Sequence, residues 1–313
     1  MPDLTNRLHN ALACGALDLP VPGSGLSAQR FLALYEFALA DLSTARLAEA
    51  HTDAVAILAE AGRSPVPNAL YGVWASDGSG SELSLRQATD ATYFLEGTKR
   101  YCSGARIVER ALVTARTPFG IVLVDISMRV EGIEWAPSSW ASPAFAETCT
   151  ATVEFHRTPV SPDALIGPPD WYLTRRGFWL GAIAPTACWA GGAAGLIRAA
   201  RKLRRKSSHS RAQMGALEAN DWAARAFLEE AARQIDSHPD EGTEEARLRA
   251  IKVRHLIERL CTDTLDRFGR ATGPQLLAFD AAVAQRHAEL SLYIRQCHAE
   301  QDLETLTSYA DPG

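Results

Sequence analysis

Two stretches patterned for helices enclose one patterned for strands, and this order restricts the possible folds more than any single residue does. Over residues 27–62 apolar side chains recur at helical spacing: Phe31, Leu34, Tyr35, Ala38, Leu39 and Leu42, then Leu47, Ala50, Ala54, Ile57 and Leu58. The spacing predicts two helices, or one bent helix, stopped at Gly62 with Pro65 and Pro67 beyond. Residues 1–26 hold a short helix and a Pro/Gly-rich loop. From Leu70 to Gly167 the pattern changes to short β-type runs at 71–74, 83–86, 93–97, 111–115, 121–126, 132–135 and 148–155, cut by Gly, Pro, Asp and Ser. Runs of this length and spacing predict about six to eight strands and leave no room for a helix of normal length. After Trp171 helical spacing returns over 178–204, 219–237, 244–267 and 279–305, with a loop at 238–242 and a break at 269–274. Gly191, Gly192, Ala194 and Gly195 give the first of these helices a face narrow enough for close helix contact. The reading is α+β: a short N-terminal helical region (1–68), a central antiparallel barrel or sandwich (69–167) and a C-terminal four-helix bundle (168–313).

Composition excludes several functions. Across 313 residues, 32 Lys+Arg against 37 Asp+Glu leave a net charge of −5, which supplies no basic field for a nucleic-acid backbone. Hydrophobic residues at 47% and charged residues at 22% fit a globular chain. The most apolar run, 182–196, is short for a membrane span, and MPDLTNRLHN lacks the basic and apolar regions of a secretory signal. Cys14, Cys102, Cys149, Cys188, Cys261 and Cys297 are scattered singly and the eight His form no ligand pair, so free thiols, no metal site and a cytoplasmic location are expected.

Two strings in the β region carry more information. The first follows the run 71–74: Ala75 and Ser76, then Gly78-Ser79-Gly80-Ser81-Glu82. The second is Gly97-Thr98-Lys99-Arg100-Tyr101-Cys102-Ser103-Gly104-Ala105. In this order, between helical regions, they resemble the acyl-CoA dehydrogenase family of flavoproteins, whose strings read Thr-Glu-x-x-x-Gly-Ser-Asp and Lys-x-Trp/Phe-Ile-Thr-Asn-Gly. The resemblance covers the whole architecture with partial motif matches. It implies bound FAD, with Ala75 and Ser76 at the family's Thr and Glu and Ser81 helping to hold the flavin or the thioester arm. Tyr101 and Cys102 fall on the stretch beside the isoalloxazine, and Ser103 on the hydroxyl residue near flavin N5. An aromatic wall excludes water there, and a donor near N5 stabilises the reduced ring. A Gly/Ser string between strands also serves as a plain turn.

In the bundle, Arg211-Ala212-Gln213-Met214-Gly215 resembles the family's Arg-x-x-Phe-Gly. The resemblance implies that Arg211 reaches the FAD pyrophosphate of a neighbouring subunit, with Met214 against the cofactor, and hence a homodimer or homotetramer. Arg211 also extends a basic run that a solvated helix face would carry. Gly269 and Gly273 stand at the family's Gly-Gly-x-Gly turn, with Arg270 replacing one glycine.

The family's catalytic Glu can be placed in two registers. Counting from Arg295 puts Glu304-Thr305 on its Glu-x-Thr. Counting from Gly269 puts the position near 295–298 and favours His298, as in flavin monooxygenases of the same fold. If one helix runs through 279–305, Arg295, His298 and Asp302 share a face, an arrangement equally common for a surface ion pair. The N-terminal helical region is shorter than the family's, and little chain follows the candidate base. The expected function is FAD-dependent α,β-oxidation of an acyl thioester such as acyl-CoA, with an electron-transfer partner. The alternatives are a reduced-flavin monooxygenase or a non-catalytic relative acting as a binding or scaffold protein.

Overall fold

The computed structural model describes residues 3–76, 78, 80, 82–89, 92–136, 140–203 and 207–310, with the backbone alone at Thr89 and 308–310. Helices α1 (Leu4–Ala13), α2 (Ser27–Ala40) and α3 (Leu42–Glu60) come first. The strands β1 (Tyr71–Trp74), β2 (Glu82–Thr89), β3 (Thr92–Cys102), β4 (Arg110–Thr117), β5 (Gly120–Ser127), β6 (Ile133–Trp135), β7 (Ala151–Val160) and β8 (Leu165–Ile166) follow. Short helices α4 (Trp171–Thr174) and α5 (Gly177–Gly181) lead into α6 (Ala184–Arg201), α7 (Ser208–Ser237) and α8 (Thr243–Thr272). The remainder is α9 (Gln275–Phe279), α10 (Ala281–Tyr293) and α11 (Glu300–Ala310). The chain forms two compact units, one of Met1–Asp18 with Leu47–Phe178 and the other of Leu19–Arg46 with Trp179–Gly313.

The first unit is built on one eight-stranded sheet in the order β6-β7-β3-β2-β4-β5-β8, with β1 beside β4. The sheet is mixed, which corrects the antiparallel expectation: β1 runs parallel to β4 along its whole length, and β2 meets β4 in parallel at Ser84 and Arg116. The cause lies at the strand starts. Leu70 O accepts from the N–H groups of Glu109 and Arg110, and Glu109 Oε2 accepts from Leu70 N–H at 2.7 Å, so β1 and β4 leave one clamp in the same direction. Ala54, Ile57 and Leu58 of α3 pack with Tyr71, Leu112, Leu123, Ile166 and Tyr172 to form a core on the sheet. Within β3, Gly97 has φ +119° beside a register shift, and a Cβ there would run into Glu82 O. Only glycine fits this bulge.

In the second unit α2 packs on α6 and α7, α7 on α8, and α10 on α6, so a helix from near the N-terminus packs among the C-terminal ones. A Cβ on Gly191 of α6 would strike Tyr35 O, so the small-residue face receives the backbone of α2. The helix expected over 178–204 is split, because Pro185 sits in the first turn of α6, where its missing N–H costs nothing. The stretch Gly177–Arg201 is long and apolar enough to cross a membrane by length and composition, yet 89% of its most apolar window is buried in the protein.

Candidate functional site

The two β-region strings meet in space. β1 ends at Trp74, whose indole Nε1 donates to Ser103 O at 3.0 Å, just beyond the end of β3. Trp135 Nε1 donates to Ala105 O at 2.8 Å, so two indoles fix the carbonyls of one loop. Gly78 N–H donates to Ser76 Oγ at 3.4 Å, and a Cβ on Gly78 would lie 2.9 Å from Tyr101 Cε2. Ser76, Gly78 and the Tyr101 ring therefore form one surface. Ser79 and Ser81 lie outside the described residues.

Tyr101 is 54% exposed and holds φ +60°. Phe145 and Cys149, which flank the adjacent 3-10 turn Ala146–Thr148, also lie in the left-handed region, at φ +59° and +48°. Three such non-glycine residues around one loop store strain of about 1–2 kcal/mol each. Strain of this kind gathers where a fold holds a ligand.

Two residues on from Tyr101 begins a chain of buried hydroxyls. Ser103, Thr148 and Thr150 are 8%, 0% and 8% exposed. Thr150 Oγ1 donates to Ser103 Oγ at 3.3 Å, Thr148 and Thr150 Oγ1 are 2.8 Å apart, and Thr148 Oγ1 reaches Phe145 O at 2.8 Å. Gly104 N–H donates to Thr148 O at 2.8 Å, locking the two segments together. Cys102 is fully buried with Sγ donating to Lys99 O, and burial pushes its thiol far above the ordinary range, so it packs as a neutral group. Ala75 packs against the unit's core.

The bundle residues are differently placed. Arg211 lies exposed in the first turn of α7, and Met214 packs on Ile197, Leu217 and Ala271. Gly269 is inside α8, which continues to Thr272, and the turn falls at Gly273 with φ +65°. Of the two glycines expected at this turn, Gly273 makes it and Gly269 does not. A further correction concerns the base. No continuous helix carries 279–305: α10 stops at Tyr293, a 3-10 turn covers Ile294–Gln296, and Ala299 adopts φ +42°. Arg295 instead pairs with Glu258 at 2.6 Å, while His298 Nδ1 is 3.9 Å from Asp302 Oδ1 with its side chain 71% exposed. Glu304 is exposed on α11.

Sequence reading missed a buried aromatic group in this unit. Trp189 and Tyr293 meet edge-to-face at 6.2 Å, with the Arg254 guanidinium 5.1 Å from the indole and that of Arg46 5.3 Å from the phenol. Arg254 also donates to Ala182 O and Gln296 O, the latter at 2.7 Å. Thr148 and Thr150 were missed too. Their only signal is a Thr-Cys-Thr spacing at the start of a strand-like run.

No family model matches the chain. Dibenzothiophene monooxygenase from Mycolicibacterium goodii is 31% identical over 98 residues, which cover 29% of this chain and 23% of that protein. The match thus spans less than a quarter of the curated relative. Likeness to solved structures is broader in extent and lower in identity. KijD3 in complex with FMN and dTDP-3-amino-2,3,6-trideoxy-4-keto-3-methyl-D-glucose superposes with TM-score 0.82 at 16% identity, over 98% of this chain and 86% of that one. TdsC from Paenibacillus sp. A11-2 in complex with FMN and indole gives 0.77 at 18%, over 99% and 96%. These neighbours hold FMN, which overturns the expected FAD. A further structure of TdsC from Paenibacillus sp. A11-2, named as a dibenzothiophene monooxygenase, superposes with TM-score 0.76 at 19% identity. The chain has the acyl-CoA dehydrogenase-like fold shared by these flavin-dependent enzymes.

Proposed function

We propose that the chain is a reduced-FMN-dependent monooxygenase acting on a small organic molecule. The observation that carries this reading is the surface at Tyr101: an exposed aromatic ring in a strained backbone, beside Ser76 and Gly78, with the buried Ser103 hydroxyl two residues on. These residues suit an isoalloxazine. Tyr101 offers an apolar face that excludes water, and Ser103 offers a hydrogen-bonding group already oriented by its neighbours. Reduced FMN, when bound, supplies the two electrons that let one atom of dioxygen enter the substrate while the other leaves as water.

The chain's own part is binding and orientation. Tyr101, Ser76 and Ser103 hold the ring system, and Arg211 of a neighbouring subunit, with its fixed charge, holds the flavin phosphate. His298, beside Asp302, is the group that carries a proton. Glu304 loses its task in this reading, because monooxygenation removes no α proton. A flavin reductase, or any supply of reduced FMN, takes the place of an electron acceptor, and the expected thioester is not required. The bundle associates with a second copy of the chain.

The test is to mix the protein with chemically reduced FMN, dioxygen and dibenzothiophene or indole. Enzyme-dependent oxygenated product, labelled from ¹⁸O₂, is the expected result. Anaerobic bleaching of bound flavin by acyl-CoA, without oxygenated product, would overturn the proposal.

A further inference from the structure

Ser103 is the innermost polar group of the proposed flavin site, and its surroundings define more than its position. Three hydroxyls stand in series, each carrying one hydrogen, and they end at a backbone carbonyl. Thr148 has two acceptors within 2.8 Å, Phe145 O and Thr150 Oγ1. Thr150 likewise has two, Thr148 Oγ1 at 2.8 Å and Ser103 Oγ at 3.3 Å. The chain can therefore order its hydrogens in two ways with every heavy atom in place.

In the inward order Thr148 donates to Phe145 O and Thr150 donates to Thr148. Both lone pairs of Ser103 Oγ are then open, and Ser103 can accept from a ligand N–H. In the outward order Thr148 donates to Thr150 and Thr150 donates to Ser103. One lone pair of Ser103 is then filled, and its own hydrogen becomes a polarised donor aimed away from Thr150. The outward order orphans no carbonyl, because Phe145 O keeps the N–H of Thr148 at 3.1 Å. The surrounding backbone resists adjustment: Gly104 N–H holds Thr148 O, Ser103 N–H holds Tyr101 O at 2.9 Å, and the Trp74 indole holds Ser103 O. Hydrogen rotation is thus the least costly response to a change of ligand.

We infer that Thr148 and Thr150 form a reversible hydroxyl relay that switches Ser103 between hydrogen-bond donor and acceptor as the bound flavin changes redox state. This rests on the reading of Ser103 as a flavin contact. Oxidised isoalloxazine presents a lone pair at N5 and reduced isoalloxazine an N–H. The outward order serves the first and the inward order the second. Thr150 and Thr148 are positioning residues with opposite effects. Without the Thr150 hydroxyl, Ser103 loses the hydrogen that polarises it as a donor. Without the Thr148 hydroxyl, Thr150 has only Ser103 to donate to, and Ser103 cannot open both lone pairs.

The experiment measures the dissociation constants of oxidised and of anaerobically reduced FMN, and the midpoint potential of the bound flavin, in wild type, Thr150→Val, Thr148→Val and Thr150→Ser. Loss of one hydrogen bond corresponds to about a fivefold weakening. Thr150→Val should weaken oxidised FMN by about that factor, spare reduced FMN and raise the potential. Thr148→Val should weaken reduced FMN, spare the oxidised form and lower the potential. Thr150→Ser, which restores the hydroxyl, should return wild-type values. Equal weakening of both redox states, or shifts of the same sign in both valine variants, would mean a structural role and overturn the relay. Unchanged affinities in both would overturn it as well. A wild-type protein that binds neither form of FMN would remove the flavin reading and the relay together, which separates the two failures.

Discussion

His51 sits 4% exposed on α3, and its Nδ1 accepts the Tyr71 backbone N–H at 3.1 Å, a bond only an unprotonated Nδ1 can make. Burial holds its pKa at about 4, against the opposing pull of Asp18. The native state thus keeps this ring neutral while the unfolded chain protonates it near pH 6.5. The unfolded state binds more protons throughout that window, so stability falls as pH drops from about 6.5 to about 4, by on the order of 3 kcal/mol at the lower end. Urea melts at pH 7 and pH 4.5 should show the loss. His51→Gln, whose amide oxygen can still accept the Tyr71 N–H, should be less sensitive over the same interval, and an unchanged pH slope in that variant would assign the effect elsewhere. Residues of this kind are hard to read from sequence. The His51 acceptor role exists only because α3 lies against β1, whereas Tyr101 and Ser103 stand in a string whose order can be recognised. Thr148 and Thr150 escape because the run 148–155 reads as one strand. In the structure it is a 3-10 turn, a left-handed Cys149 and then β7.

Elements were legible where local periodicity sets them and illegible where a distant side chain does. The strand runs were placed, although β3 and β7 each run five residues past the expected end and the two-residue β8 was not expected. The break expected over 269–274 falls at its far end, at Gly273, because a single glycine at 269 costs a helix only about 1 kcal/mol and the packing of Phe268 and Ala271 outweighs that. A second break, after Tyr293, was not expected; its carbonyl at Gln296 is satisfied by Arg254 of α8, a contact no local pattern announces. The same distinction yields a pair of contrasting mutants. Gly191→Ala forces a methyl into Tyr35 O of α2 and should cost about 1–3 kcal/mol. Gly215→Ala adds a methyl where nothing lies within 4 Å, on the exposed face of α7, and should gain up to about 1 kcal/mol. Denaturant titration of the two proteins gives the sign of each. A destabilised Gly215→Ala would mean that this glycine, part of the Arg-x-x-Phe-Gly-like string, meets a neighbour outside this chain.

At the scale of the molecule the helix–sheet–helix order was readable because periodicity changes twice along the chain. The pairing of α2 with α6 and α7 was not, since an amphipathic face does not name its partner. The expectation of FAD failed for a related reason: the strings that resemble an isoalloxazine surface say nothing about what lies beyond the ring. Ligand linkage can separate ring from tail. A ligand bound only by the folded chain adds about 2.7 kcal/mol at a hundredfold excess over its Kd, which for a protein of this size is a rise in Tm of roughly 4 °C. FMN should produce that rise. Riboflavin, which has the same ring and no phosphate, should produce less at equal concentration, and the difference measures the phosphate contact. If Arg211 makes that contact, Arg211→Ala should lower the Tm with FMN towards the riboflavin value and leave the riboflavin value unchanged. A variant that keeps the full gap between the two ligands would acquit Arg211 and leave it an exposed charge in the first turn of α7. Loss of the riboflavin shift as well would instead show that Arg211 supports the fold around the ring, because a phosphate contact cannot be felt by a ligand that has no phosphate.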